Sequence, residues 1–138
     1  MRTISTILSA AVLATMLASA PARADALPDL QGGWTDASLS CTDVFSTSNG
    51  KLVLRNDDGF NVGGFIVEGN KIKGQARACT VDRSVRKGST INLLMSCQDS
   101  VLASAQEIRL KLNKDGTVTR TLAGFKDFSQ TFKRCPAS

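Results

Sequence analysis

Apolar and polar side chains alternate with a period of two residues in the C-terminal half of the chain, and this pattern constrains the fold most. The clearest stretch is residues 107–112. Alternation of this kind puts one face of a β-strand in the core and the other in water. Residues 113–116, Asn-Lys-Asp-Gly, predict a type I turn closed by a glycine in the left-handed conformation. The predicted hairpin pairs Leu112 with Val118, Leu110 with Arg120 and Ile108 with Leu122.

Similar short segments, separated by Gly- and Asn-rich turns, recur along the chain and favour an all-β domain. The predicted strands besides this hairpin are residues 30–35, 51–55, 60–68, 71–77, a strand that contains Cys79, 90–98 and 128–134. One short helical turn is expected within residues 40–45. Consecutive antiparallel hairpins predict a small up-and-down barrel of about eight strands, with a β-sandwich as the alternative.

The N-terminus has the pattern of a cleavable Sec-type signal peptide. Arg2 precedes an apolar stretch that ends in small-x-small sites around Ala24. We expect residues 1–24 to be removed and residues 25–138 to form a single domain without a membrane span. No cysteine follows the cleavage region, so a lipoprotein is not expected. The predicted location is the periplasm or the extracellular medium.

Four cysteines lie in the mature region, and an even number in a small exported protein indicates two disulfides. Cys79 and Cys97 are equally distant from Gly88, where a hairpin turn is expected, so we predict the pairs Cys79–Cys97 and Cys41–Cys135. Residue parity opposes this pairing, because Cys97 has the parity of the apolar positions in its strand and Cys79 that of Lys71 and Lys73. A bulge before Cys79 would remove the conflict.

The composition excludes the commonest catalytic groups. The chain contains no His and no Tyr, which removes the usual acid–base and metal-binding side chains. Cysteines committed to disulfides are not nucleophiles. The adjacent pair Asp57 and Asp58 lies in a predicted turn, where Asp is common for conformational reasons. We therefore expect a protein that is not an enzyme and that uses neither a metal nor a cofactor.

Arg120 is the most informative candidate for binding. The hairpin register places it between Val118 and Leu122 on the face that should be buried, and Gln130 points inward on the next strand. A buried Arg needs a partner. One interpretation is a barrel cavity that holds an anionic group. The alternative is that Arg120 lies near a rim and extends its guanidinium into water.

The remaining charges are scattered, and the mature chain is mildly basic. The densest basic cluster is Arg83, Arg86 and Lys87, at one hairpin tip, where an acidic partner could bind. Its other interpretation is a solvated guard against edge-to-edge pairing. Nucleic-acid binding is not expected, because the aromatic residues are Phe at inward positions rather than exposed stacking platforms.

Residues 30–34, Leu-Gln-Gly-Gly-Trp, resemble the first strand of lipocalins and other calycins. In that family the Trp closes one end of an eight-stranded barrel, and an Arg near the end of the last strand stacks on it. The resemblance assigns these structural roles to Trp34 and Arg134.

The chain is also similar to bacterial inhibitors of metalloproteases, which are compact barrels whose N-terminal segment enters the protease cleft. Leu27, Pro28 and Asp29 stand at that place here. Residues 65–70, with Gly74 and Cys79, further resemble small exported proteobacterial proteins. Together these features predict a binding module whose partner is an envelope or extracellular protein, such as a protease that it inhibits. The alternative is a carrier of a small anionic or apolar ligand inside the barrel.

Overall fold

A computed structural model describes residues 27–55, 63–122 and 124–137. The chain forms a short 3₁₀ turn, one turn of α-helix and ten strands. In chain order these are the 3₁₀ turn Pro28–Leu30, β1 Gly32–Asp36, α1 Cys41–Val44, β2 Phe45–Ser48, β3 Lys51–Leu54, β4 Gly64–Glu68, β5 Lys71–Gly74, β6 Ala78–Lys87, β7 Thr90–Gln98, β8 Ala103–Leu112, β9 Val118–Leu122 and β10 Phe125–Cys135.

Eight of these strands close into an antiparallel barrel in the order β1-β10-β9-β8-β7-β6-β5-β4. The predicted all-β barrel is therefore confirmed, and the sandwich alternative is not observed. The β8–β9 register is also as expected, since Leu112 pairs with Val118 and Ile108 with Leu122. Gly116 has φ +83° in the connecting turn, which is the left-handed conformation that the turn requires.

Two disulfides link Cys79 to Cys97 and Cys41 to Cys135, as predicted. The parity conflict disappears at the turn before Cys79. The predicted strand 71–77 ends at Gly74, whose N–H donates to the carbonyl of Arg77. The two residues between them form the loop of a hairpin. Across this loop, even-numbered residues of β5 pair with odd-numbered residues of β6, so inward-facing Ile72 pairs with Cys79.

Strand β6 does contain a bulge, but it lies after Cys79 and not before it. The β6–β7 register shifts between Val81 and Arg83, so Asp82 is the extra residue. The turn of this hairpin is Gly88-Ser89, so that Lys87 pairs with Thr90 and not with Ser89, as a turn centred on Gly88 would require. The bulge and the displaced turn compensate for each other. Cys79 consequently lies opposite Cys97 in spite of both deviations.

The strand predicted at residues 51–55 lies outside the barrel. It forms β3, which pairs with β2 in a separate two-stranded sheet. This hairpin and α1 pack on the outer face of the barrel, where Val44 and Phe45 are buried together with Ile66 and Cys135. Glycines permit the close approach, because a Cβ on Gly64 would lie 2.5 Å from Val44 and 2.8 Å from the Trp34 carbonyl.

Leu27, Leu30 and Trp34 close one end of the barrel, and all three side chains are buried in its main core. The Arg134 guanidinium lies 4.4 Å above the Trp34 ring centroid, within the range of a cation–π contact. Arg134 also donates to the backbone carbonyls of Asp29 and Gln31. Arg134 therefore links the last strand to the Trp34 ring and to the 3₁₀ turn.

Phe128 is an exception to the expectation that the Phe residues face inward. Its side chain is 59% exposed. The β9–β10 register shifts between Phe125 and Ser129, so the strict alternation that would have turned Phe128 inward is interrupted. Phe132, which lies beyond the irregularity, is buried as expected.

Candidate functional site

The barrel has a closed end and an open end. At the closed end lie residues 27–31 and the turns at residues 69–70, 88–89 and 113–117. At the open end lie the turns at residues 75–76, 99–102 and around Gly124. A cavity of about 270 Å³ occupies the barrel interior toward the open end. This volume is close to the lower limit of roughly 300 Å³ for small-molecule sites and matches about nine water molecules at roughly 30 Å³ each.

Most of the cavity wall is apolar. The apolar lining comes from six strands and belongs to the barrel core. Its members are Phe65, Ile72, Met95, Ile108, Leu110, Leu122 and Phe132. Four side chains with polar ends also line the cavity. They are Gln75, Arg77, Gln106 and Arg120.

Arg120 lies on β9 in the wall of this cavity, as the register predicted. Its Nη2 donates to Oε1 of Gln130 at 2.7 Å, and Gln130 is its partner across the β9–β10 ladder. The guanidinium carbon also lies 5.2 Å from the Phe132 ring centroid. The structure therefore brings together both residues that the sequence proposed for ligand binding.

Gln130 is fixed in turn by Asp36 at the end of β1. The Gln130 Nε2 donates to Oδ2 of Asp36 at 2.8 Å, and the other carboxylate oxygen accepts from the backbone and hydroxyl of Ser38. These hydrogen bonds, with that of the Ser38 hydroxyl foremost, lower the pKa of Asp36. The chain of contacts orients the Gln130 amide so that its oxygen faces Arg120.

The Arg120 charge has no carboxylate partner among the residues that the structure describes. No Asp or Glu oxygen in that set lies within 4.0 Å of its guanidinium. Removal from water lowers the pKa of Arg120, but an Arg remains protonated at neutral pH. A partly buried cation beside an apolar cavity, with only a neutral amide as its hydrogen-bond partner, is suited to receive an anionic group.

Sequence reasoning missed the other polar members of the wall. Gln106 has the same parity as Ile108 and Leu110, so the alternation in β8 could have identified it as inward-facing. Gln75 and Arg77 were hidden because the hairpin loop around them was interpreted as a continuous strand. Asp36 carried no sequence signal, since its role depends on contact with Gln130, 94 positions away.

The segment proposed for insertion into a protease packs against the barrel instead of extending from it. Leu27 is buried in the core, and Pro28 is exposed at the start of the 3₁₀ turn. The Asp29 carboxylate forms an ion pair with Arg86, and its carbonyl accepts from Arg134. Insertion into a cleft would require these contacts to break.

The predicted basic cluster is divided in the structure. Arg86 is engaged by Asp29 and also donates to the Gly88 carbonyl. Lys87 is exposed at the end of β6, and Arg83 lines a shallow outer groove beside Leu94 and Glu107. The cluster therefore presents less free positive charge than the sequence suggested.

Comparison of the chain with protein-family models, with curated proteins and with solved structures finds no match. In the described part of the chain, no helix has the length and apolar character needed to cross a membrane. The same residues contain no group of three or more His, Cys, Asp or Glu side chains arranged to hold a metal ion.

Proposed function

We propose that the mature protein is an exported, non-enzymatic binding module that holds a small anionic amphiphile inside its barrel. The observation that carries this proposal is the Arg120 guanidinium, which lies in the wall of a mainly apolar cavity without a carboxylate partner in the described structure. Two disulfides are compatible with an oxidising compartment outside the cytoplasm. The periplasmic or secreted location itself rests on the predicted signal peptide.

The cavity limits the size of the ligand. A volume of about 270 Å³ accepts a short apolar chain or a single small ring system, not a long lipid. The apolar body would contact the core residues Phe65, Met95 and Ile108, and the acidic group would meet Arg120. The alternative of a protein inhibitor stays a prediction that rests on the resemblance, because the contacts of residues 27–29 do not favour it.

The proposal can be tested with an anionic and a cationic probe of equal length. Octanoate should bind to the mature protein in isothermal titration calorimetry, and octylamine should not. Replacement of Arg120 by Met should weaken octanoate binding by about 10- to 100-fold. This is the loss expected when one charge-assisted hydrogen bond of roughly 1.5–3 kcal/mol is removed.

Arg109→Met is the matched control, because Arg109 is exposed on the outer face of the neighbouring strand. Its octanoate affinity should equal that of the unchanged protein. Chemical-shift changes on octanoate addition should map to Phe65, Met95 and Ile108. Equal affinity for octanoate and octylamine, or an Arg120→Met variant with unchanged affinity, would refute the proposed anion site.

A further inference from the structure

The barrel wall has different heights on the two sides of β8. On one side, β8 pairs with β7 over its full length from Ala103 to Leu112. On the other side, pairing with β9 begins only at Ile108, opposite Leu122. Residues 103–107 therefore rise about 16 Å beyond the end of β9, at roughly 3.3 Å per residue.

The second edge of residues 103–107 is open. Within residues 27–55, 63–122 and 124–137, no strand pairs with this edge. Alternate residues of an antiparallel strand direct their N–H and C=O groups to the same side, so two or three of these five residues present unpaired backbone groups. The edge also lacks the usual protection, since the only charged side chain in the sequence Ala-Ser-Ala-Gln-Glu is Glu107 at one end.

Apolar side chains are exposed beside this edge. The β7–β8 turn presents Val101 at 82% and Leu102 at 67% exposure, and the β9–β10 turn presents Phe125 at 66%. The first turn is well ordered, because Asp99 accepts hydrogen bonds from the backbone of Val101 and Leu102 and pairs with Arg77. Exposed apolar groups held in this way are typical of an interaction surface.

We infer that the open edge of β8 pairs with the same edge of a second copy of this chain in a two-fold symmetric dimer. The five residues are self-complementary about Ala105 in an antiparallel pairing. Ala105 then faces Ala105 of the second copy, and Ala103 faces Glu107, so no like charges meet along the edge. Small side chains at the centre allow the two backbones to approach.

The same register accounts for the exposed apolar turns. If Ala103 faces Glu107, then the β7–β8 turn of one copy meets Leu122 of the other, which already pairs at the level of Ile108. That is the level at which β9 ends and Phe125 begins β10. Each β7–β8 turn would therefore cover the β9–β10 turn of the second copy, and this contact occurs twice. One arrangement thus provides partners both for the unpaired backbone groups and for Leu102 and Phe125.

Introduction of a charge at Ala105 tests the inference, independently of any ligand. Sedimentation of the unchanged mature protein should show a dimer that dissociates on dilution. Ala105→Lys and Ala105→Glu should each weaken dimerisation by about tenfold or more, because like charges meet on the two-fold axis. An equimolar mixture of the two variants should restore the dimer, since opposite charges then face each other.

Ala78→Lys and Ala78→Glu are matched controls. Ala78 is an exposed alanine of β6 that is paired on both sides, with Lys73 and Gln98. These controls should dimerise like the unchanged protein. The inference is overturned if the unchanged protein is monomeric up to ~0.1 mM, a concentration that populates a dimer with a micromolar dissociation constant. It is equally overturned if the mixed Ala105 variants stay monomeric. Octanoate binding can succeed or fail separately, so the two proposals are distinguishable.

Discussion

The two disulfides close loops of very different length, which gives a quantitative prediction. Cys79 and Cys97 are 18 positions apart, whereas Cys41 and Cys135 are 94 positions apart. A disulfide restricts the unfolded chain, and the restriction grows with the logarithm of loop length. The chain-entropy relation gives about 3.2 kcal/mol for the short loop and about 4.7 kcal/mol for the long loop. The difference is about 1.5 kcal/mol, or roughly tenfold in the unfolding equilibrium constant.

Comparison of two double variants measures this difference. Cys79→Ala/Cys97→Ala and Cys41→Ala/Cys135→Ala remove the same atoms, so the packing terms largely cancel. Cys97 and Cys135 are similarly buried, which supports the cancellation. We expect the second variant to lose more free energy of unfolding in urea.

Trp34 is a suitable probe, since it is the single Trp of the chain and is buried in the barrel. Its fluorescence reports unfolding of the barrel rather than of the outer layer. A larger loss in the Cys79/Cys97 variant would refute the loop-length argument. So would a Cys41/Cys135 variant with an unchanged Trp34 transition, because the long disulfide would then hold only α1 and the β2–β3 hairpin.

Two further predictions concern packing and acid stability. Gly64→Ala should lower the free energy of unfolding in urea by about 1–3 kcal/mol, since its Cβ would meet Val44 and the Trp34 carbonyl. Gly74→Ala, whose nearest contact is 3.5 Å away, should change it by no more than about 0.5 kcal/mol. Equal effects would contradict the close approach of the outer layer. Hydrogen bonds lower the pKa values of Asp36, Glu68 and Asp99 in the folded state. The contribution of these carboxylates to folding stability is therefore complete above their unfolded-state pKa and is lost as the pH falls through their folded-state pKa. The urea midpoint should therefore decrease from about pH 5 downward, and a midpoint that rises on acidification would contradict these contacts.

The strands were predictable wherever alternation was uninterrupted. The period of two in β8 predicted the end of this strand near Leu112 and its register with β9. The strand predicted at residues 90–98 coincides with β7. Prediction failed where an extra residue or a short turn changed the parity. Asp82 is such a residue, and the irregularity before Ser129 exposes Phe128. A bulge is a local rearrangement that apolar periodicity does not encode.

The candidate site was partly predictable for the same reason. Arg120 and Gln130 could be found because each breaks the polarity of a known inward face. Asp36 could not, because its contact with Gln130 requires the closure of the barrel between β1 and β10. The open edge of β8 was also hidden, since it depends on the unequal lengths of two neighbouring hairpins and not on any residue type.

Arg134 and Arg86 at the closed end of the barrel have different partners from Arg120 near the open end. At the closed end, Arg134 has the Trp34 ring and two backbone carbonyls as partners, and Arg86 has Asp29. Toward the open end, Arg120 has the Gln130 amide and the Phe132 ring as partners, and no carboxylate among the described residues. A folded chain gains no stability from a partly desolvated cation without an anion. Arg120 is therefore the residue on which the proposed anionic ligand depends, and its replacement is the decisive test of that proposal.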